Sequence, residues 1–288
     1  MKGLAEFVMR GRLQALFIVM VGAGSMLFCW ISAAALALVS LRKGAGEGAW
    51  LMFWALLPAG TVLYVYGDSS PLALLVGAMA LALVLRATVS LSMTILGSVV
   101  VALVSGLALV AFGGGFLEQL ATALGEFMAS MEEQLAAGGN EGVQLPRPTA
   151  LQLAGMMGVG NGMTAMLCVL LARYWQAALY NPGGFGEEFR ALRYPVGIAL
   201  GLSLAAVALT ALGTQYQTWA MMFVLPLSFA GLALVHARGV YRGWGTGGIA
   251  LFYALWLLVD PVKLFVVFAA IADSWFDFRQ RWRQAGDE

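Results

Sequence analysis

Two charged side chains interrupt an apolar stretch that is otherwise suited to lipid, residues 248–272. Asp260 and Lys263 are three positions apart and therefore share one face of a helix. Ionisable groups at membrane depth are the default candidates for function. Asp260 precedes Pro261, which is typical of a helix start, and such an N-terminus can bind an anionic substrate group. The structural alternative is that Asp260 caps the helix and Lys263 neutralises it.

Two amide side chains lie in another apolar stretch, residues 151–171. Gln152 and Asn161 can both donate and accept hydrogen bonds inside an apolar bundle. A ligand held among membrane helices needs a few polar contacts of this kind. The ligand-binding candidates are therefore Gln152, Asn161, Asp260 and Lys263.

Glycines are spaced for close helix packing in the same region. Gly158 and Gly162 form a G-x-x-x-G pattern, and Gly197 and Gly201 repeat it in the next apolar stretch. This spacing predicts that each helix closely approaches a neighbour. The functional alternative is that glycines and Asn161 line a substrate cavity.

Other site chemistries lack support in the sequence. One histidine and two cysteines do not make a recognisable metal set. There is no G-x-S-x-G, no P-loop lysine and no second buried acid to pair with Asp260. The sequence also lacks a cluster of cations interleaved with aromatic residues, which nucleic-acid binding requires. We expect no cofactor, no metal, no nucleic-acid partner and no enzymatic activity; any ATP-driven process would need an ATPase from another chain.

The composition indicates a membrane protein. Of 288 residues, 61% are hydrophobic and only 11% are charged, with a mean hydropathy of +0.85. Soluble domains carry about 25% charged residues, so this chain has too few to cover a globular surface. The predicted fold class is an all-α, polytopic helical membrane protein, with residues 1–288 forming one integral membrane domain. The composition therefore predicts the lipid bilayer as a partner of this chain.

The first and last apolar blocks are too long or too interrupted for simple spans. Residues 13–41 as one helix would measure roughly 43 Å, against a hydrocarbon core of about 30 Å. Residues 248–272 contain the Asp260-Pro261 break. Each block is either a tilted span or a broken helix pair, the first with a turn near residues 29–31. We therefore predict eight to ten membrane segments from the blocks 13–41, 50–66, 71–86, 91–112, 151–171, 196–212, 219–235 and 248–272.

The cations favour the broken version. If both blocks are helix pairs, fourteen of the 16 lysines and arginines lie on the side of both termini. Arg147 alone lies opposite, and Lys263 lies within a segment. If both blocks span once, seven cations lie inside and eight outside. The positive-inside rule thus predicts that both termini and the loop at residues 173–195 are cytoplasmic. A topology with only one broken block remains an alternative.

Residues 113–148 contain no span. Leu117, Leu124 and Met131 belong to an apolar helical stripe, with glutamates on the other side. The pattern predicts an external amphipathic helix followed by a linker. It either lies on the outer membrane surface or forms a lid over an external pocket.

Residues 173–195 form the longest polar break that also carries several cations. Residues 181–184, NPGG, give a strong turn signal, and a short interfacial helix is predicted to follow, ending at Pro195. This cytoplasmic loop is either a structured turn or a docking surface for a membrane or cytoplasmic protein. The docking candidates are Arg173, Asn181, Pro182, Gly183, Gly184, Phe185, Arg190 and Arg193, with Asp273, Asp277 and Arg279 from the C-terminal segment.

Aromatic residues near block ends are predicted as interfacial anchors. They are Trp175, Trp219, Trp244 and Trp275. His236, at the end of the seventh block, is predicted to be an interfacial histidine.

The stretch ARYWQAALYNPGGFGEEFRALR and the ending DSWFDFRQRWR resemble the YybS-like family of bacterial membrane proteins, with domain of unknown function 2232. SAAALALVSLRKG looks like that family's early segment. The family is distantly similar to the substrate-binding S components of energy-coupling-factor vitamin transporters. The resemblance therefore implies small-molecule uptake and a location in a bacterial inner membrane. S components dock their membrane partner through A-x-x-x-A patterns, and Ala33 and Ala37 match that spacing.

Two functional hypotheses follow. The first is a transport-related membrane protein that binds a small molecule within its helix bundle and lacks its own ATPase. The second is a membrane scaffold or assembly protein whose cytoplasmic face docks another protein. A polar cavity inside the bundle is required by the first hypothesis and not by the second.

Overall fold

The chain folds almost entirely into helices. A computed structural model describes residues 2–25, 27–139 and 142–284. These residues form fourteen α-helices, one 3-10 turn and no strand, and the chain is an all-α, polytopic membrane protein. Five helices are long and apolar enough to cross a membrane: α4 (Ala45–Tyr66), α5 (Ser70–Thr88), α6 (Leu91–Phe112), α8 (Ala150–Tyr180) and α11 (Gln217–Tyr241).

Five shorter helices lie in the other predicted blocks. They are α2 (Arg12–Ala23), α3 (Cys29–Lys43), α10 (Val196–Ala211), α12 (Thr246–Leu258) and α13 (Asp260–Phe276). The α12–α13 pair would raise the number of candidate spans to six if it crosses as one bent span. The remaining helices are α1 (Lys2–Arg10), α7 (Gly114–Ala137), α9 (Gly184–Arg190) and α14 (Phe278–Gln284).

The first long block is broken, but earlier than predicted. The helix α2 ends at Ala23 and α3 begins at Cys29, so the predicted turn residues already belong to α3. The Ser32 hydroxyl donates a hydrogen bond to the Val19 carbonyl at 2.6 Å, which ties the two helices side by side. A Cβ on Gly22 would lie 2.8 Å from Ser32 Cβ, so glycine allows this close approach.

The last block is broken where the sequence indicates. The axes of α12 and α13 are bent by 112° at Val259, whose backbone is extended. Pro261 lies in the first turn of α13. Backbone N–H groups in a first turn have no partner within the helix, so the N–H that proline lacks costs no hydrogen bond there. One detail differs: Val259 occupies the cap position, and Asp260 is the first helical residue rather than the cap.

The helix α3 lies at the centre of the bundle. Every residue from Ser32 to Leu41 is buried, and the helix packs against α2, α4, α5 and α8. A helix buried on all sides must be apolar all round, which its alanine-rich sequence satisfies. Ala33 and Ala37 are fully buried. The chain's own helices therefore cover the A-x-x-x-A face that the family resemblance suggested as a docking surface for a membrane partner.

The two G-x-x-x-G patterns have different outcomes. A Cβ on Gly158 would lie 2.6 Å from the Ala102 carbonyl oxygen, and one on Gly162 would lie 2.8 Å from Ala102 Cβ, which confirms close packing of α8 on α6. The same prediction for Gly197 and Gly201 is wrong, because a Cβ there would meet nothing within 4 Å. The buried face of α10 carries Ala199, Leu202 and Ala206.

The predicted loop 173–195 is shorter in the structure. Helix α8 continues through Tyr180, so residues 173–180 are helical and the turn begins at Asn181. Because of this continuation Trp175 faces the core and is fully buried, which corrects its prediction as an interfacial anchor. Trp219 is buried as well, and its indole donates to the Leu151 carbonyl at 3.0 Å.

The predicted amphipathic helix is α7. Its first half packs on the bundle through the buried Leu117, while Phe127 in the second half is 56% exposed. The Glu132 carboxylate accepts the Leu145 N–H at 2.7 Å and the Arg147 guanidinium at 3.2 Å. These bonds lower the pKa of Glu132, the Leu145 N–H most strongly. They hold the returning linker against α7.

Candidate functional site: a cavity at the acidic end of the bundle

Long-range contacts define the two ends of the bundle. Arg86 donates to the Leu41 carbonyl at 2.9 Å, joining the ends of α5 and α3. The buried Tyr194 donates to the Ser92 carbonyl at 3.0 Å, joining the segment before α10 to the start of α6. We call this end, where α1 starts and α14 ends, the basic face.

The opposite end is the acidic face. It bears α7, its linker and the α4–α5 connection. The described residues of this face include five carboxylates and one cation, Arg147 of the linker. The carboxylates are Asp68, Glu118, Glu126, Glu132 and Glu133.

A cavity of about 550 Å³ lies at the acidic face between α4, α5, α6, α7 and α8. Most of its lining is apolar, so it is less polar than the cavity that the transport hypothesis predicts. Ser105 and Asn161 are its polar groups on α6 and α8. An adjoining cavity of about 260 Å³ shares Ser70, Met157 and Asn161 with it. Asn161 therefore lies where the two spaces meet.

The Asn161 amide has one end satisfied and one end available. Its Nδ2 donates to the Ser105 hydroxyl at 2.7 Å, whereas its second polar atom has no partner within the described part of the chain. The residue lies eleven positions after the start of α8, about 16 Å along the helix. That is about halfway across a hydrocarbon core of about 30 Å. Polar groups at such depth are normally paired, so a ligand would complete this amide.

Asp68 is the charged residue of the adjoining cavity. Its carboxylate accepts the Ser70 N–H at 2.8 Å, at the start of α5. The Cys29 thiol reaches the Pro71 carbonyl at 3.7 Å and ties α3 to the same helix start. A carboxylate beside a largely apolar cavity, on a face with surplus negative charge, favours a cationic group in the ligand.

Gln152, a predicted ligand contact, is occupied by structural bonds. Its side chain accepts the Thr149 N–H at 2.9 Å, and the Thr149 hydroxyl accepts the Gln152 N–H at 3.3 Å, which together form a capping box. The Gln152 amide also donates to the Thr214 carbonyl at 3.2 Å. It therefore joins the start of α8 to the 3-10 turn before α11.

Asp260 and Lys263 pair with each other outside the bundle. The Lys263 ammonium lies 2.7 Å from the Asp260 carboxylate, and the Asp260 side chain is 88% exposed. Neither residue lines the Asn161 cavity or the space beside it. The structure thus corrects the prediction that this pair and Asn161 form one internal site, because the break in the last block lies at the bundle periphery.

Arg193, a docking candidate, binds the C-terminal segment of its own chain. Its guanidinium donates to the Asp277 carboxylate at 2.5 Å and to the Asp273 and Ser274 carbonyls at 3.1 Å each. Arg279 lies 3.7 Å from the Asp273 carboxylate, which is 2% exposed. These candidates hold the start of α10 against the end of α13 and the start of α14.

Two of the loop candidates, Arg173 and Phe185, are also used internally. Arg173 donates to Glu188 at 2.7 Å, and the Phe185 ring contacts Tyr174 edge-on at a centroid distance of 5.9 Å. Gly183 has a φ of 91°, which suits glycine and closes the turn into α9. The exposed remainder of the turn is the short tip at residues 181–183.

No family model, curated protein or solved structure matches this chain. The likeness to the YybS-like family therefore stays a prediction.

Sequence reasoning missed two polar groups of the site. Asp68 is a lone acid between two apolar blocks, just before a Ser-Ser-Pro helix start, and that placement was a usable signal. Ser105 was one of several hydroxyls in α6. Nothing in the sequence distinguished it from Ser98, which bonds to its own helix at Ile95.

Proposed function

We propose that this chain is a transport-related membrane protein that binds a small molecule in the cavity around Asn161 and lacks its own ATPase. The observation that carries the proposal is the half-satisfied Asn161 amide within a largely apolar space of about 550 Å³. Small-molecule sites are typically 300–1,000 Å³ with a few placed polar groups. The ligand class is a mostly apolar molecule with a hydrogen-bonding, cationic head.

The proposed location is a bacterial inner membrane with both termini in the cytoplasm. The charge distribution supports the orientation, since the basic face would be cytoplasmic by the positive-inside rule. The bacterial inner membrane follows from the resemblance to the YybS-like family. The cavity would then open to the outside. An impermeant maleimide should label Tyr66→Cys in intact cells and Pro182→Cys only after lysis; the reverse pattern would invert the topology.

The scaffold hypothesis has less support. It requires a cytoplasmic surface open to a partner, yet Arg193, Asp277 and Arg173 bind groups of their own chain. The exposed residues of the predicted docking loop include the tip at residues 181–183 and also Tyr174, Tyr180, Glu187 and Ala191. The case against docking is therefore the internal pairing of Arg193, Asp277 and Arg173.

Binding of dansylcadaverine, a fluorescent probe with an apolar ring and a primary ammonium group, tests the proposal. We expect its emission to rise on binding wild-type protein in nanodiscs. Asn161→Leu should weaken binding about tenfold, since one lost hydrogen bond costs about 1 kcal/mol or more and Ser105 is left unpaired. Asp68→Asn should also weaken binding, because the probe loses its counter-charge.

Matched variants separate the cavity from the rest of the bundle. Ser203 bonds to its own helix on α10, away from the cavity, so Ser203→Ala should bind the probe normally. Asp260→Ala and Lys263→Ala should also be silent. Melting temperatures identify variants that fail to fold. Equal binding by wild type and a folded Asn161→Leu protein would refute the proposed site.

A further inference from the structure

A second large cavity lies near the basic face and is a groove along the side of the bundle. It has a volume of about 840 Å³, between α8, α9, α11 and α12. Its walls are mostly aliphatic and aromatic. Helix α12, which forms one wall, has no buried residue in the described part of the chain, so it closes the groove only loosely. The walls include Leu167, Leu170, Leu225, Phe229, Leu232 and Trp256.

The groove has the length of one lipid leaflet. On α11 it extends from His236 to Leu225, eleven residues, or about 16 Å along the helix. One leaflet of a hydrocarbon core of about 30 Å is about 15 Å deep. A single acyl chain that enters from the basic face would therefore run along the whole groove.

Polar groups gather at the end of the groove near the basic face. His236 Nε2 lies 2.9 Å from the Tyr253 hydroxyl, and the Phe189 ring packs edge-on against the imidazole. Arg190 lines the groove beside them and makes no salt bridge or hydrogen bond with any described residue. One cation without a partner thus lies at the headgroup end of an apolar groove.

We infer that this groove binds one acyl chain of an anionic phospholipid from the leaflet at the basic face, with the lipid phosphate against Arg190. A guanidinium suits phosphate because its planar donors can bind two oxygens at once. The net negative headgroup complements the surplus cations of this face. The groove lies apart from the Asn161 cavity, so either site can fail without the other.

Native mass spectrometry tests the inference. The protein is taken from nanodiscs that contain equal amounts of phosphatidylglycerol and phosphatidylcholine, and retained lipids are counted. We expect the wild type to retain phosphatidylglycerol preferentially. Arg190→Gln should reduce that retention about fivefold, the expected effect of one cation near an anionic lipid. Leu167 lines the groove and is 47% exposed, so Leu167→Trp should fill the groove and reduce retention of both lipids.

Arg242→Gln is the matched control, because Arg242 is exposed on the same face and does not line the groove. It should retain as much phosphatidylglycerol as the wild type. Equal retention of the two lipids by the wild type would overturn the inference. So would an Arg190→Gln protein that matches Arg242→Gln, or a second protein found in the groove in place of lipid.

Discussion

Alanine at Gly158 is expected to destabilise the protein by about 1–3 kcal/mol, the usual cost of overpacking a core. The added Cβ would lie 2.6 Å from the Ala102 carbonyl oxygen of α6 and 2.8 Å from the end of the Met222 side chain. A side chain can move, but the backbone carbonyl moves only if α6 and α8 separate. Thermal unfolding of the purified protein in a mild detergent measures the loss.

Gly201→Ala is the matched control for this prediction. Gly201 has the same G-x-x-x-G spacing in an apolar helix, but a Cβ there would meet nothing within 4 Å. Alanine has a higher helix propensity than glycine, so the melting temperature should stay the same or rise. Equal effects of the two substitutions would show that α6 and α8 do not pack through Gly158.

Replacing Arg193 with alanine should cost about 2 kcal/mol of stability. The guanidinium satisfies three acceptors in the C-terminal segment, and Asp273 beside it is 2% exposed. Breaking a buried ion pair leaves an uncompensated charge, which costs about 3–5 kcal/mol when burial is complete. The smaller value follows because Arg193 is 30% exposed and Arg279 stays near Asp273.

The Arg193 prediction also has a local readout. Loss of these bonds should free the end of α13 and all of α14, so protease should cut there before the bundle unfolds. Arg193→Lys should rescue only partly, because an ammonium cannot reproduce the planar fork. The exposed Arg242 supplies the control, since Arg242→Ala should change stability by less than about 0.5 kcal/mol. Matching melting curves for the Arg193→Ala and Arg242→Ala proteins would contradict this assignment.

Local signals in the sequence were enough for the helix series. Block length and the Asp260-Pro261 dipeptide raised the possibility of two broken pairs, because a membrane sets the span length, and the cation distribution favoured that version over single spans. Tertiary contacts decided the remainder. Gly158 and Gly201 have the same pattern, yet only the first faces another helix, and Arg193 meets partners eighty or more residues away.

The site was predicted in part for the same reason. Asn161 was found because an amide inside an apolar stretch is unusual. Gln152 was predicted as a ligand contact, whereas its side chain forms a capping box with Thr149, a signature that the local sequence contains. Asp260 and Lys263 are neighbours on a helix as predicted, but sequence spacing does not reveal which face of α13 meets the bundle.

The most direct test of the proposed function is mass spectrometry of small molecules that remain bound through gentle purification. Wild-type protein should carry a small molecule in near-stoichiometric amount, and the folded Asn161→Leu protein should have lost most of it. Asp260→Ala should keep the wild-type content. The account is contradicted if the same small molecules, in the same amounts, accompany the wild type and Asn161→Leu, or if Asp260→Ala alone loses them.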